Sequence, residues 1–153
     1  MQELLTVIVF WLSVNFALPT SDELPRVALV SGERMVEVRR ERSSASTAST
    51  HVAISESRDT DAVDFHALYD DLERTIYLPE DWTAASPAQV SLLVHELVHH
   101  LQNVGAVRHA CAAERERTAY RAQARWLELV GTSLEETFGI DPMTLLVRTS
   151  CMH

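Results

Sequence analysis

With 153 residues, 46% of them apolar, the chain has enough to close one hydrophobic core, and residues 1–153 read as a single domain. A formal net charge of −9 excludes the basic surface that nucleic-acid binding relies on, and it argues against docking on anionic membranes. The arginines gather at 39–42 and 115–125, a pattern expected of solvated helix faces.

The longest apolar run is 4–18, LLTVIVFWLSVNFAL. It falls short of the roughly 20 residues that span a bilayer. No Lys or Arg precedes Arg26, and Asn15 is a poor residue two places before a cleavage at Ala17, so the features of a secretory signal are incomplete. The run reads better as a first helix buried on all sides and closed by Pro19, with a signal or anchor as the alternative. Pro25–Val30 follows as a short strand and Glu33–Arg42 as a helix. Residues 43–60, rich in Ser, Thr and Ala, read as a mobile insertion loop in which HVAIS (51–55) could pair as a strand. Val63–Tyr69 and Thr75–Leu78 read as a β-hairpin around Asp70-Asp71, ended by Pro79. Its edge is the candidate for holding an extended peptide by strand addition; core sheet is the plainer reading.

Ser86-Pro87-Ala88-Gln89 marks a helix start, with Ser86 as N-cap and Gln89 closing a capping box. Val90, Leu93, Val94, Leu97, Leu101 and Val104 recur at helical spacing up to Gly105, a C′ stop, which predicts a helix over 87–104. Residues 111–130 form a second helix ending at Gly131, with an inward stripe of Ala112, Glu116, Ala119, Tyr120, Gln123, Trp126, Leu127 and Val130. Ser133–Glu136 caps one helical turn that stops at Gly139, and Asp141-Pro142 starts a last helix over 142–149. The fold class is α+β, mostly helical, with a small antiparallel or mixed sheet beside the 87–104 helix.

That helix carries His95-Glu96-Leu97-Val98-His99 in its middle. Histidines four apart share a helix face and can close on one Zn²⁺; the intervening glutamate is placed to act as general base toward a water in the open position. Buried without a partner, the same residues would be expensive. A catalytic zinc takes a third protein ligand, and the downstream candidates are His100, His109, Glu114 and Glu116. His100 lies about 100° round the helix from His99. His109 falls in the loop after Gly105. Glu114 shares a polar face with Thr118, Arg121 and Arg125, whereas Glu116 is the acid on the inward stripe and is the ligand of choice. Tyr120, one turn further on, is a candidate donor to a tetrahedral oxyanion, or else a core tyrosine packed against the metal helix.

HELVHHLQ, followed by Glu116, Ala119, Tyr120, Gln123, Trp126 and Leu127, resembles a small bacterial family of zincin-like metallopeptidases of the gluzincin type. LYDDLERTIYLPEDW and SLEETFGIDPMTLLVRTSC extend the resemblance over about 62–151, and the N-terminal third follows it loosely. The resemblance implies a minimal zincin-like domain in which His95, His99 and Glu116 bind zinc and Glu96 is the base. It implies no particular substrate. The Ser/Thr-rich 43–60 departs from it as an insertion.

The leading expectation is therefore a zinc-dependent hydrolase acting on a peptide or protein substrate. The alternative is a zinc-containing binding or regulatory protein without peptidase activity, which would have no need of a base at Glu96. Cys111 and Cys151 flank the last helices. A disulfide between them would tie the tail to the start of the Glu116 helix and imply an oxidising compartment; free thiols would suit a reducing one. The sequence leaves both open, and localisation with them.

Overall fold

A computed structural model describes residues 1–46 and 67–151. The three strands are β1 (Arg26–Val30), β2 (Leu68–Asp70) and β3 (Thr75–Pro79). Strand β3 sits between the other two, parallel to β1 with Val27 opposite Ile76, and antiparallel to β2 with Tyr69 opposite Ile76. Side chains alternate across a strand. Ile76 and Leu78 therefore enter the main core, while Tyr77 points the other way and packs on Met35 and Val38 of helix α2 (Gly32–Ser46). The sheet is mixed, and the edges of the described sheet are β1 and β2, so the second strand of the expected hairpin is interior and only its first strand lies at an edge. Asp70 closes the hairpin: its Oδ1 accepts from the backbone N–H of Leu72 and Glu73, both at 2.8 Å.

Helix α2 runs four residues beyond the expected Arg42, because adding a residue to an existing helix costs far less than starting one. The rest of the expected loop, with HVAIS and the start of the first hairpin strand, lies outside the described residues.

Helix α1 (Gln2–Phe16) buries one face, through Leu5, Ile8, Val9 and Leu12. The expectation of burial on all sides fails. Val7, Phe10 and Val14 are 60%, 68% and 67% exposed, because α1 covers the core from outside instead of passing through it. Among the described residues no helix is long and apolar enough to cross a membrane.

The interior element is α3 (Pro87–Val104), in which Leu93, Val94, Leu97, Val98 and Leu101 have no exposed surface. Ser86 caps it, accepting from the Gln89 N–H. The Gln89 side chain reaches past the expected capping box and accepts from the N–H groups of Thr83 and Ala85. At the far end Gly105 has φ −81°, and it is Ala106 that turns left-handed, at φ 49°. Gly105 is needed for space: a Cβ there would lie 2.2 Å from Pro19 Cγ.

Helix α4 (Ala112–Leu129) packs along α3, followed by α5 (Leu134–Phe138) and α6 (Pro142–Thr149). Ala119, Ala122, Gln123 and Leu127 are its buried residues; Ala112 and Val130, placed on the inward stripe by spacing, are exposed at the helix ends, where none of the described residues covers them. A disulfide joins Cys111, the N-cap residue of α4, to Cys151 with 6.0 Å between the Cα atoms.

His100 fastens two pieces of chain to α3. Its Nε2–H donates to the Glu23 carbonyl at 2.7 Å, which leaves Nδ1 to accept from the Tyr69 hydroxyl at 3.0 Å. Asn103 Nδ2 donates to the same hydroxyl and to the Asp71 carbonyl. His100→Ala empties a buried site and strands a carbonyl, so it is expected to cost about 3 kcal/mol. The midpoint of urea unfolding measures this; a change of only a few tenths of a kcal/mol would show that the clip is dispensable.

Candidate metal centre

His95 and His99 stand one turn apart on α3 and face Glu116, on the second turn of α4. Both histidines are buried and Glu116 is half-buried. His95 Nε2 lies 3.1 Å from Glu116 Oε2, and His99 Nε2 lies 3.3 Å from Oε1. The three ligand atoms fall within 4.8 Å of one another.

Two glutamines decide which nitrogen of each ring carries hydrogen. Gln102 Nε2 donates to the Arg115 carbonyl, which can only accept, so its Oε1 is the atom that faces His99 Nδ1 at 3.1 Å. Gln123 Nε2 donates to Ser91 Oγ, whose own hydrogen goes to the Ala88 carbonyl, so Gln123 Oε1 faces His95 Nδ1 at 3.0 Å. Both Nδ1 atoms must therefore be donors. When the rings are neutral, both Nε2 lone pairs point at a carboxylate.

Acceptors facing acceptors at this range need a cation between them. Protons supply one answer. Burial pulls the His95 imidazole down, but Glu116 and Glu96 outweigh it and hold it above its ordinary value. Burial pushes the Glu116 carboxyl up, yet the two imidazoles hold it far below the usual carboxylate range. A metal ion is the other answer, and the donor set fits one. Two imidazole nitrogens and one carboxylate oxygen within 4.8 Å of one another are the ligand types and the proximity that a single zinc ion takes. The ring N–H groups held by side-chain oxygens are the usual outer support of metal-binding histidines.

Glu96 is buried beside His95 and does not belong to the cluster of ligand atoms. It is also within electrostatic range of Arg39 on α2, whose guanidinium burial lowers and Glu96 partly restores. The Tyr120 ring meets His95 edge-on, centroids 4.7 Å apart, and its hydroxyl accepts from Arg148 Nη1 at 2.9 Å. The remaining sequence candidates lie elsewhere. His100 is engaged as described above, and His109 has a buried Nε2 with no hydrogen-bond partner among the described residues. Glu114 turns back to accept from the Ala110 N–H at 2.5 Å, capping the start of α4 in place of the surface contacts its polar face suggested.

Sequence reasoning missed Gln102, Arg115 and Arg148, and it found Gln123 only as an inward residue. Arg115 holds Asp71 through both guanidinium arms at 2.7 and 2.5 Å, which fixes the hairpin turn against α4 next to Glu116.

The model of the family described as Domain of unknown function (DUF6647) matches residues 1–153. No curated protein and no solved structure matches the chain.

The hydrogen-bond logic predicts distinct tautomers for adjacent histidines. In zinc-titrated protein, long-range proton–nitrogen NMR is expected to place the hydrogen of His95 and His99 on Nδ1 and that of His100 on Nε2. The same tautomer at all three positions would refute the assignment.

Proposed function

The chain belongs to the DUF6647 family, and we propose that it is a zinc-dependent hydrolase that cleaves peptide bonds. The observation that carries the reading is the pair of Nε2 atoms facing one carboxylate at 3.1 and 3.3 Å, each ring locked from behind by an amide oxygen. His95, His99 and Glu116 would hold the ion and leave a fourth position for solvent or substrate. Bound there, zinc supplies a Lewis acid and makes a water acidic enough to ionise near neutral pH.

Glu96 takes the proton of the attacking water and passes it to the leaving amine. Its place beside the ligands, without being one, suits that role. Gln102 and Gln123 keep the imidazoles from rotating, so the donor set is formed before the ion arrives. Tyr120 accepts from Arg148, so its own hydroxyl proton is free to donate to an oxyanion. An extended substrate is supported by β2, an edge strand of the described sheet that packs on α3 through Tyr69 and His100.

Zinc is expected to bind with a stoichiometry near one. His95→Ala, His99→Ala and Glu116→Ala should each strip it, while Glu114→Ala retains it; metal analysis after dialysis reads this directly. Loss from Glu114→Ala with retention in Glu116→Ala would overturn the ligand assignment. Glu96→Gln is expected to keep zinc and fold while peptide-library cleavage falls by about 10² to 10⁴. Unchanged turnover in that variant would remove Glu96 from the mechanism, and a zinc-loaded wild type that cleaves nothing would favour a binding protein.

A further inference from the structure

We propose that Arg148 forms a carboxylate-binding subsite beside the metal centre, selecting substrates that present a free C-terminus or an acidic side chain there. This rests on the hydrolase reading above and names its substrate class.

Arg148 lies in the last turn of α6 and is exposed. Among the described residues its one hydrogen bond is to the Tyr120 hydroxyl, and Tyr120 in turn abuts His95. The guanidinium is thus two contacts from the first histidine. A guanidinium carries five N–H donors, so most of the fork remains unused. Arg34, Arg74, Arg115 and Arg125 are each matched to an acid, whereas no carboxylate of the described residues meets Arg148. Arg26, Arg108, Arg117 and Arg121 also have no ion pair among the described residues, so what sets Arg148 apart is its bond to Tyr120 beside His95.

Its position is not left to a mobile tail. Arg117 Nη2 donates to the Thr149 carbonyl at 3.1 Å, and Cys151 is bonded to Cys111. Residues 148, 149 and 151 are therefore each fastened to α4 or its N-cap, around the turns that carry Glu116 and Tyr120. The result is a held cation with a free face at the rim of the site. Such a fork suits bidentate recognition of a carboxylate. A local cation also offsets the repulsion that a chain of net charge −9 exerts on an anionic substrate.

The test uses the full chain carrying Glu96→Gln, so that probes bind without turnover, titrated calorimetrically with and without zinc. The probes are N-acetyl-Phe-Ala as the free acid, the same dipeptide as its amide, and N-acetyl-Phe-Glu amide. The expected result is that one carboxylate-bearing probe binds roughly tenfold tighter than the neutral amide. Arg148→Gln abolishes that preference and Arg148→Lys keeps part of it. Preference for the free acid identifies a C-terminal carboxylate; preference for the glutamyl amide identifies a side chain. Arg148 is exposed, so Arg148→Gln is expected to fold and to hold zinc as before, which circular dichroism and metal analysis check. Equal binding of all three probes, binding of none, or a preference that survives Arg148→Gln would overturn the subsite. A preference that depends on Arg148, in a protein that binds no zinc or whose Glu96-bearing form cleaves none of the probes, would overturn the hydrolase reading alone.

Discussion

Two imidazole nitrogens and one carboxylate meet in the seam between α3 and α4, and positive charge must lie between them. The other features of the site follow from that demand. The carboxylate comes from α4 and the nitrogens from α3, so the two helices must hold their spacing to a few tenths of an ångström. Leu93, Leu97 and Leu101 supply apolar packing on α3 with no exposed surface, and Ala119 and Ala122 allow close approach on α4. Gln102 and Gln123 then span the same seam with hydrogen bonds, so the rings cannot turn without breaking contacts on both helices.

The remaining elements hold that pair of helices in place. Arg115 ties the hairpin turn to α4, while His100 and Asn103 tie the hairpin and the 19–25 segment to α3. Pro19 rests where any side chain at position 105 would collide. The disulfide closes the other side, holding the end of the described chain to the start of the glutamate helix. A small protein can support a polar buried cluster in this way because nearly every donor and acceptor in it has a partner.

The helices and the cluster were legible in the sequence because their determinants are local. Ser86, Asp141 and Ser133 each cap a helix that the spacing also marked. His95 and His99 share a face by helix geometry alone, and Glu116 could be separated from Glu114 by the side of α4 on which each falls. What the sequence concealed depends on register between elements. Nothing local shows that Gln102 meets His99, or that Gln123 meets His95 and not another α3 residue. Arg148 reaches Tyr120 only because α6 folds back along α4. The parallel pairing of β1 with β3 is likewise a long-range choice, and it leaves the expected hairpin with only one edge. Helix α1 was read as buried on all sides because its outer residues are as apolar as its inner ones; composition cannot distinguish a helix inside a core from one lying over it.

X-ray absorption at the zinc edge of the metal-loaded protein tests the central claim most directly. The account predicts four nitrogen or oxygen neighbours at about 2.0–2.1 Å, with outer-shell scattering from two imidazoles. A sulfur shell, a six-coordinate hydrated ion, or the signature of one imidazole or none would contradict it.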